Sequence, residues 1–381
     1  MDTIKAHAQT SIPPFPALLA NVRQHTDSNG NLVIGCVRNW IRLRSSDAQI
    51  NGLLDLLDGS RSVGEIVTMA KSKIPGIRDH QVLHLLEALA RNGLLMMGKQ
   101  GASPTLHNDS YLERHARDLE FYSLFESDGV SRYDRLTALH DAKAVVVGMG
   151  GAGSFTSLAL ACAGIGTLVA LDFDRVELTN LSRQMLYTSA DIGQLKVEAA
   201  RVFFRRFTPE MDFVPSSLQV RGPDDLRPFL QDADIVVVAA DWPPRVIARW
   251  LNEACAAAGV PSIYMSTTLT YVLIGPLVVP GVTCCFECLC TMRGKNMPQD
   301  WFENAVRARW GKPFPTVSPV PATIGNIMAW EIITWLTKIH TPRSLGALLR
   351  FDLQTMEVSS FPVTRDPVCP ICQQSMARED E

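Results

Sequence analysis

The sequence has no apolar run long enough to cross a bilayer. Its most apolar stretch, residues 271–282, is interrupted by Gly275, Pro276 and Pro280, whereas a membrane-spanning helix needs about 18 apolar residues in succession. Residues 1–16 also lack the basic segment followed by an apolar core that marks a signal peptide. We therefore expect a cytoplasmic protein.

The chain also lacks an excess of charge of either sign. It has 36 basic and 39 acidic side chains and a net charge of −3, which argues against a general nucleic-acid-binding protein. The hydrophobic fraction of 46% is ordinary for a globular protein with a buried core. With 381 residues, the chain is long enough for two domains.

The first 98 residues predict a tail followed by a small α+β domain. Residues 1–30 are polar with scattered prolines and are expected to form the tail. Residues 31–46 alternate in the manner of short strands. Three helices are expected after them, namely one over 47–57, one capped by Ser62 and Glu65, and one that ends at Gly93. Residues 31–98 therefore resemble a winged-helix module.

Residues 99–130 are expected to form a linker and a helix, and residues 131–381 a second domain of α/β type. The expected elements are strand 143–148, helix 151–164, strand 167–173, helix 193–207, strand 213–220, helix 224–231, strand 234–240, helix 243–258, strand 261–266, strands within 270–280 and helix 322–339. This alternation predicts a Rossmann-like, mostly parallel sheet with helices on both faces.

A strand that runs into a glycine-rich turn indicates a phosphate-binding site. The segment AVVVGMGGAG, residues 144–153, places Gly148, Gly150, Gly151 and Gly153 between an apolar strand and a predicted helix. In that context the turn directs backbone amides and the positive end of the helix dipole at a phosphate. The glycines alone suit a dinucleotide and ATP equally well.

The polar residues beyond the next strand favour ATP. Asp172 follows Gly148 by 24 residues (172 − 148 = 24), close to the spacing of about 20 expected for a carboxylate that binds ribose hydroxyls. The polar side chains that come next are Asn180, Arg183, Gln184 and Lys196. Two cations beside a ribose carboxylate suit a triphosphate, whereas a nicotinamide needs an apolar slot. Taken singly, Arg183 and Lys196 would more often lie on a solvated helix face.

Asp241 is a candidate magnesium ligand. It follows the apolar segment 234–240 and is expected at the carboxyl end of a parallel strand, where ligands bind in such sheets. Mg²⁺ takes a few carboxylates together with phosphate oxygens. Asp241 also precedes Pro243, so it is suited to cap a helix as well.

Four of the nine cysteines form two pairs with metal-binding spacing. Cys285 and Cys288 make one CxxC pair, and Cys369 and Cys372 make the other. Two such pairs predict a tetrahedral structural Zn²⁺ site, which leaves no open catalytic position on the metal. Cys284 is an alternative ligand, although its use would break the spacing.

These motifs together resemble the E1-like adenylating family, typified by ThiF, MoeB and the ubiquitin-activating enzymes. The resemblance covers about residues 130–375 and rests on GMGGAG, LDFDRVELTNLSRQ, DIGQLK and the segment that ends at Asp241. It implies that Asp172 binds ribose and that Arg183 and Lys196 bind phosphates. It also implies that Asp241 positions Mg²⁺, and it supports the zinc site, which many members carry.

A second resemblance to this family lies in RYDR, residues 132–135. The last arginine of the corresponding family motif reaches the ATP of the partner subunit, which implies a catalytic Arg135 and a homodimer. The inferred catalytic residues are therefore Arg135, Arg183, Lys196 and Asp241. The inferred nucleotide-binding residues are Gly148, Gly150, Gly151, Gly153, Asp172, Asp174, Asn180 and Gln184.

A catalytic cysteine is missing where many E1-like enzymes have one. Residues 291–368 contain no cysteine, and Cys290 lies only two residues past a predicted zinc ligand. We therefore expect no thioester between the enzyme and its substrate. A nearby nucleophile is expected to attack the adenylate directly.

The N-terminal domain resembles the PqqD-like peptide-recognition domains of ribosomal peptide-modifying enzymes, over about residues 30–98. The resemblance implies that a leader peptide adds as a strand to the edge of the sheet, at part of residues 31–44. Trp40 and Leu43 are candidate contacts for that peptide, or else core residues. A DNA-binding winged helix is disfavoured because its third helix has few basic residues.

The fusion of the two domains resembles the antibiotic-producing branch of the family typified by MccB and PaaA. The expected function is ATP- and Mg²⁺-dependent adenylation of a carboxylate in a ribosomal precursor peptide, followed by intramolecular capture such as cyclisation of adjacent glutamates. The segment LLDGSRS slightly favours this PaaA-like interpretation. The alternatives are nucleotidylation of a peptide C-terminus, a leader-binding protein without catalysis and an NAD(P) oxidoreductase.

Overall fold

The computed structural model describes the greater part of the chain. The described residues are 12–19, 22–36, 39–43, 52–97, 109–126, 130–268, 270–294 and 315–376. The chain divides into two compact units, Met1–Ala138 and Leu139–Glu381. In the described ranges, no helix combines the length and apolar character that crossing a membrane requires.

The first unit is a small α+β domain. Its elements are β1 (Pro16–Leu18), β2 (Arg23–Thr26), β3 (Leu32–Gly35), β4 (Trp40–Leu43), α1 (Val63–Lys73), α2 (Asp79–Arg91), β5 (Leu95–Met97), α3 (Asp109–Arg114), α4 (Ala116–Ser123) and α5 (Arg132–His140). The sheet order is β2-β3-β4, and β1 pairs separately with β5. Leu32 and Ile34 of β3 join the buried side chains of α1 and α2 in one apolar core.

Two strands lie within the segment where we expected a tail, so the prediction is wrong over β1 and β2, while residues 1–11 lie outside the described part of the chain. β1 is held because Pro16 and Ala17 are buried and pair with β5. All four residues of β2 are exposed, and antiparallel pairing with β3 holds it in place. A polar, exposed strand has no hydrophobic pattern by which the sequence could reveal it.

The helices of this unit follow the predicted start and stop signals where the structure describes them. The capping box is confirmed, because the Glu65 amide donates to Ser62 and the Ser62 amide donates to the Glu65 carboxylate. The helix expected over 47–57 lies partly outside the described residues. α2 ends before Gly93, whose φ of +62° suits glycine at a helix end.

The second unit contains an eight-stranded sheet. Its elements are β6 (Lys143–Val147), α6 (Gly151–Ala163), β7 (Thr167–Leu171), α7 (Lys196–Phe207), β8 (Asp212–Ser216), α8 (Arg227–Leu230), β9 (Ile235–Val238), α9 (Val246–Ala258), β10 (Ser262–Thr267), β11 (Tyr271–Val278), α10 (Phe286–Gly294), α11 (Pro319–Thr337), β12 (Ala347–Asp352), β13 (Val358–Pro362) and α12 (Pro370–Met376). The strand order is β13-β12-β11-β10-β9-β6-β7-β8.

The pairing confirms the predicted mostly parallel sheet. β8, β7, β6, β9 and β10 run parallel, and β11 to β13 add antiparallel strands at one side. Both faces are covered, because Ala144 and Val146 of β6 join one apolar core while Val145 and Val147 join another. This is the burial expected of strands in a parallel sheet between helical layers.

The strand order reverses between β6 and β9. From β6 the chain continues to β7 and β8 on one side, and it later returns to place β9 and β10 on the other. The loops that leave β6 and β9 therefore diverge. A ligand crevice is expected at such a switch point, outside the carboxyl ends of the strands.

Candidate nucleotide-binding site

A cavity of about 610 Å³ lies at this switch point, within the size range of small-molecule sites. The predicted residues that line it are Gly148, Gly150, Gly151, Asp172, Asp174, Asn180, Arg183, Gln184, Lys196 and Asp241. The structure thus brings together the glycine turn, the polar segment after β7 and the residue that follows β9. Among the predicted nucleotide residues, Gly153 is not part of the lining.

The glycine turn is possible only because its residues lack side chains. Gly148 has a φ of +97°, and a Cβ there would lie 2.6 Å from the Ala240 amide nitrogen. A Cβ at Gly153 would collide with the carbonyl oxygen of Gly148. α6 starts directly after Gly150, so the first-turn amides of a long helix are available at this end of the cavity.

Asp172 is fixed in place by two backbone amides. Its Oδ2 accepts the Met149 N–H at 2.6 Å and its Oδ1 accepts the Asp174 N–H at 2.8 Å. The side chain is buried, and burial raises the pKa of this carboxyl group. A rigid carboxylate at the end of β7 is well placed to accept hydrogen bonds from ribose hydroxyls.

Lys196 is a buried cation paired with Asp174. Its Nζ lies 2.7 Å from Asp174 Oδ2, and the exposed fraction is 7% for the Lys196 side chain and 51% for that of Asp174. Asp174 therefore stands at the solvent side of the pair. The Asp174 carboxylate balances the positive charge of Lys196.

The 3₁₀ helix Leu178–Ser182 and the two residues after it carry the remaining polar groups. Asn180 is buried and shapes the loop, since its Oδ1 accepts the Glu177 N–H at 3.1 Å. Arg183 lines the cavity, and its guanidinium donates to the Thr179 carbonyl at 2.9 Å. These contacts make Asn180 a loop-shaping residue and leave Arg183 in the cavity wall, close to the glycine turn.

The side-chain oxygen of Gln184 is buried and accepts no hydrogen bond from the described residues. The residue is 4% exposed, and its Oε1 is buried without a hydrogen-bond partner in the part of the chain that the structure describes. Its Nε2 lies 3.9 Å from where a Cβ at Gly150 would stand. Because buried polar groups are normally satisfied, this carboxamide beside the glycine turn is suited to form a hydrogen bond with a ligand.

Asp241 is an exposed carboxylate in the cavity wall, three residues beyond the end of β9. No donor or cation of the described residues is bonded to its oxygens. The carboxylate is therefore available for Mg²⁺, which combines carboxylate oxygens with phosphate oxygens and water. α9 begins at Val246, so Asp241 does not cap that helix.

Two apolar walls of the cavity were missed by the sequence analysis. One wall is formed by Leu218, Val220, Ile247 and Trp250, and the other by Val320, Pro321 and Ile324 at the start of α11. No motif marks them, because any apolar side chain of suitable size can form such a wall. The contact also depends on the fold, which brings α11 beside α6, where a Cβ at Gly151 would lie 2.8 Å from Pro321 Cβ.

The start of α11 offers no amide donor to the cavity. Pro319 and Pro321 have no N–H. The amides of Val320 and Ala322 donate to Val317 and Ser318 carbonyls at 2.9 and 3.2 Å. The apolar wall is therefore a surface without unpaired backbone donors.

The four paired cysteines form one cluster away from the cavity. Cys285 Sγ lies 3.8 Å from Cys288 Sγ and 3.5 Å from Cys369 Sγ, and Cys288 Sγ lies 3.5 Å from Cys372 Sγ. Tetrahedral Zn²⁺ with Zn–S bonds of ~2.3 Å would separate its ligands by about 3.8 Å. All four are buried and within 4.8 Å of one another, so the group fits zinc, and Cys284 lies outside it.

Arg135 belongs to the first unit and is not part of the cavity lining of its own chain. The residue is buried, and its guanidinium donates a short hydrogen bond to the Phe125 carbonyl. The role of Arg135 at a partner's ATP stays a prediction.

A model of the ThiF family matches residues 115–371. The chain belongs to the ThiF family. The molybdopterin-synthase adenylyltransferase of Escherichia coli K12 is 31% identical over 242 residues, which cover 64% of this chain and 91% of that one. The chain is therefore an ATP-dependent adenylating enzyme of the E1-like type.

Solved structures show the same fold. E. coli MccB with ATP has a TM-score of 0.71 at 24% identity, and the match covers 94% of this chain and 99% of MccB. PaaA has a TM-score of 0.70 at 20% identity, with 91% of this chain and 99% of PaaA covered. MccB has also been solved with N-formylated MccA. At these identities the likeness establishes architecture, including that of most of the N-terminal unit.

Proposed function

We propose that the enzyme adenylates a carboxylate of a ribosomally made precursor peptide and that a second group of the same peptide captures the adenylate. The observation that carries the proposal is the composition of the cavity. Lys196 and Arg183 provide positive charge beside the glycine turn, and Asp241 provides an available carboxylate beyond the carboxyl end of the neighbouring strand β9. This set suits a nucleotide that is cleaved at its α-phosphate.

The first step is attack of a peptide carboxylate oxygen on the α-phosphorus of ATP. A new P–O bond forms, the bond from the α-phosphorus to the bridging oxygen breaks, and pyrophosphate leaves with that electron pair. Arg183 and Lys196 stabilise the charge that develops on the phosphates. Mg²⁺ held by Asp241 would neutralise further phosphate charge.

The second step is capture of the acyl adenylate within the peptide. An amide nitrogen or a second carboxylate attacks the acyl carbon, AMP leaves with the original carboxylate oxygen, and a nitrogen nucleophile gives up its proton. Holding both groups in one cavity makes this reaction effectively unimolecular. Direct capture is supported by the absence of any cysteine from residues 291–368. Nucleotidylation, in which the peptide keeps the nucleotide, is the alternative.

We propose that the first unit recognises the leader of that peptide in a PqqD-like manner, at the edge of β4. β3 is the central strand of its sheet, so β4 is the edge strand within residues 31–44, and no described strand pairs with its outer side. Trp40 is 56% exposed on β4, and the Arg42 guanidinium lies 5.6 Å from its ring centroid. Leu43 is half-buried and packs against the core instead. An open edge with an exposed aromatic side chain suits a peptide that binds as an added strand.

The remaining parts of the proposal concern assembly and setting. A homodimer would let Arg135 of each protomer contact the ATP of the other. Zn²⁺ on the cysteine cluster would tie the start of α10, where Cys285 and Cys288 lie, to the start of α12, where Cys369 and Cys372 lie. A cytoplasmic setting supplies the ATP and Mg²⁺ that the reaction consumes and requires.

The experiment that tests the proposal compares Lys196→Ala with Lys143→Ala. Lys143 lies outside the cavity and donates to the Gln231 carbonyl. We expect Lys196→Ala to lower peptide-dependent pyrophosphate release by about 100-fold or more, and Lys143→Ala to leave it unchanged. Full activity of Lys196→Ala would refute the assignment. Mass analysis of the peptide then separates the two outcomes, since cyclisation removes water and nucleotidylation adds nucleotide mass.

A further inference from the structure

Tyr187 links the glycine turn to the segment that carries Arg183 and Gln184. Its side chain is 6% exposed, and its hydroxyl donates to the carbonyl oxygen of Met149 at 2.8 Å. Met149 is the residue between Gly148 and Gly150 in the glycine turn. A residue 38 positions further along the chain thus holds the centre of that turn.

Met149 is held on every side. Its amide donates to Asp172 Oδ2 at 2.6 Å, its carbonyl accepts from Tyr187, and its side chain is fully buried in the core. The Met149 amide is therefore committed to the ribose carboxylate. The donors left for phosphate come from the residues after it, whose positions depend on how Met149 is oriented.

The segment that carries Tyr187 also carries Arg183 and Gln184. This segment lies against the turn, because the Arg183 carbonyl oxygen is 3.6 Å from where a Cβ at Gly151 would stand. We propose that Tyr187 is a positioning residue that sets the glycine turn in register with Arg183 and Gln184, and thereby sets the affinity for ATP. This inference rests on the proposed binding of ATP in the cavity.

The physical reason is the burial of the Met149 carbonyl. Removal of the tyrosine hydroxyl leaves this carbonyl without its donor, and an unsatisfied buried carbonyl is costly. The turn relieves the cost by rotating toward another donor. Rotation moves the amides of Gly150 and Gly151 away from the positions at which the phosphates meet Arg183.

The test is Tyr187→Phe, which removes one oxygen and keeps the ring. ATP affinity is measured by titration calorimetry without any peptide. We expect affinity about tenfold weaker, the equivalent of one hydrogen bond. The matched control is Tyr264→Phe, since Tyr264 is also buried, its hydroxyl accepts from Ser262 at 3.1 Å, and it lies outside the cavity. Its ATP affinity is expected to stay unchanged.

A double-mutant cycle with Arg183→Ala measures the coupling between the two residues in ATP binding, and general destabilisation of the fold does not produce such coupling. We expect the losses of affinity from Tyr187→Phe and Arg183→Ala to be non-additive, because one contact positions the other. Wild-type affinity in Tyr187→Phe, additive losses, or an equal loss in Tyr264→Phe would each overturn the inference alone. A wild-type protein that binds no ATP would instead overturn the proposed function.

Discussion

Burial changes the pH range over which the Asp172 carboxyl group is ionised. Burial raises the pKa of its carboxyl group, while Lys196 and the two backbone amides act in the opposite direction. The raised pKa means that the carboxyl group takes up a proton at a higher pH than an ordinary aspartate does. The ionised form accepts hydrogen bonds at both oxygens, whereas the protonated form must use one of them as a donor.

Adenosine binding should therefore weaken as the pH falls. Adenosine carries the ribose hydroxyls and has no phosphate that titrates, so a change at a pH well above that at which the adenine ring itself takes up a proton reports on the protein. We expect its affinity to be highest at neutral pH and to be lost as the pH falls through the raised pKa of Asp172. Titration calorimetry at several pH values measures this dependence. Affinity that stays constant down to about pH 4, the usual aspartate pKa, would contradict the assignment of Asp172 to ribose.

Single residues of the site differ in how far the sequence revealed them. Gly148, Asp172 and Lys196 were predictable because their spacing follows from the path of one strand, one turn and one helix. The Asp174–Lys196 ion pair and the Tyr187 hydrogen bond were not, since each depends on side-chain contacts that only the folded loop creates. Their residue types occur on any protein surface.

Elements were predictable where burial imposed a pattern on them. The parallel strands β6, β7 and β9 have continuous buried apolar runs, and these strands lie close to the expected ranges. β2 and β13 have every residue exposed, so no buried face leaves a pattern in their sequences. Pairing with a neighbouring strand creates such elements, and pairing partners cannot be read from one strand alone.

The edge strand β4 supports a prediction about peptide binding. We expect Trp40→Ala to weaken binding of the precursor peptide by about tenfold or more, because exposed tryptophans often dominate an interface. Gln24→Ala, on the exposed strand at the opposite edge, is the matched control and should bind normally. Fluorescence anisotropy with a labelled precursor peptide measures both affinities. Equal affinities for Trp40→Ala and wild type would argue against docking at β4.

The cysteine cluster that links α10 and α12 supports a prediction about metal. We expect one zinc ion per chain by elemental analysis, and we expect Cys369→Ser to lose it and to unfold at a lower temperature. Cys290→Ser is the control, because Cys290 is close in sequence to the cluster but is not a member of it. Zinc retained by Cys369→Ser, or lost from Cys290→Ser, would show that the ligands are assigned wrongly.

At the scale of the whole molecule, the proposed exchange of Arg135 between protomers can be tested by mixing inactive variants. Arg135→Ala and Lys196→Ala are each expected to be inactive as homodimers. A mixed dimer has one complete site, made of Lys196 from one protomer and Arg135 from its partner. Random exchange should thus restore about a quarter of the wild-type activity. Mixtures that stay inactive, although mixed dimers are shown to form, would rule out the shared site.

The start of α11, which contains Pro319 and Pro321, bears on how much ATP is lost through hydrolysis of the adenylate. Water held beside an acyl adenylate would hydrolyse it and waste one ATP for each molecule lost. Ordered water needs polar partners, and the wall around Val320 and Pro321 offers no unpaired amide. That side of the cavity therefore offers few hydrogen-bond partners that could hold a water molecule. Under the proposed function, an apolar wall of this kind would protect an acyl adenylate from hydrolysis until the second group of the substrate attacks it.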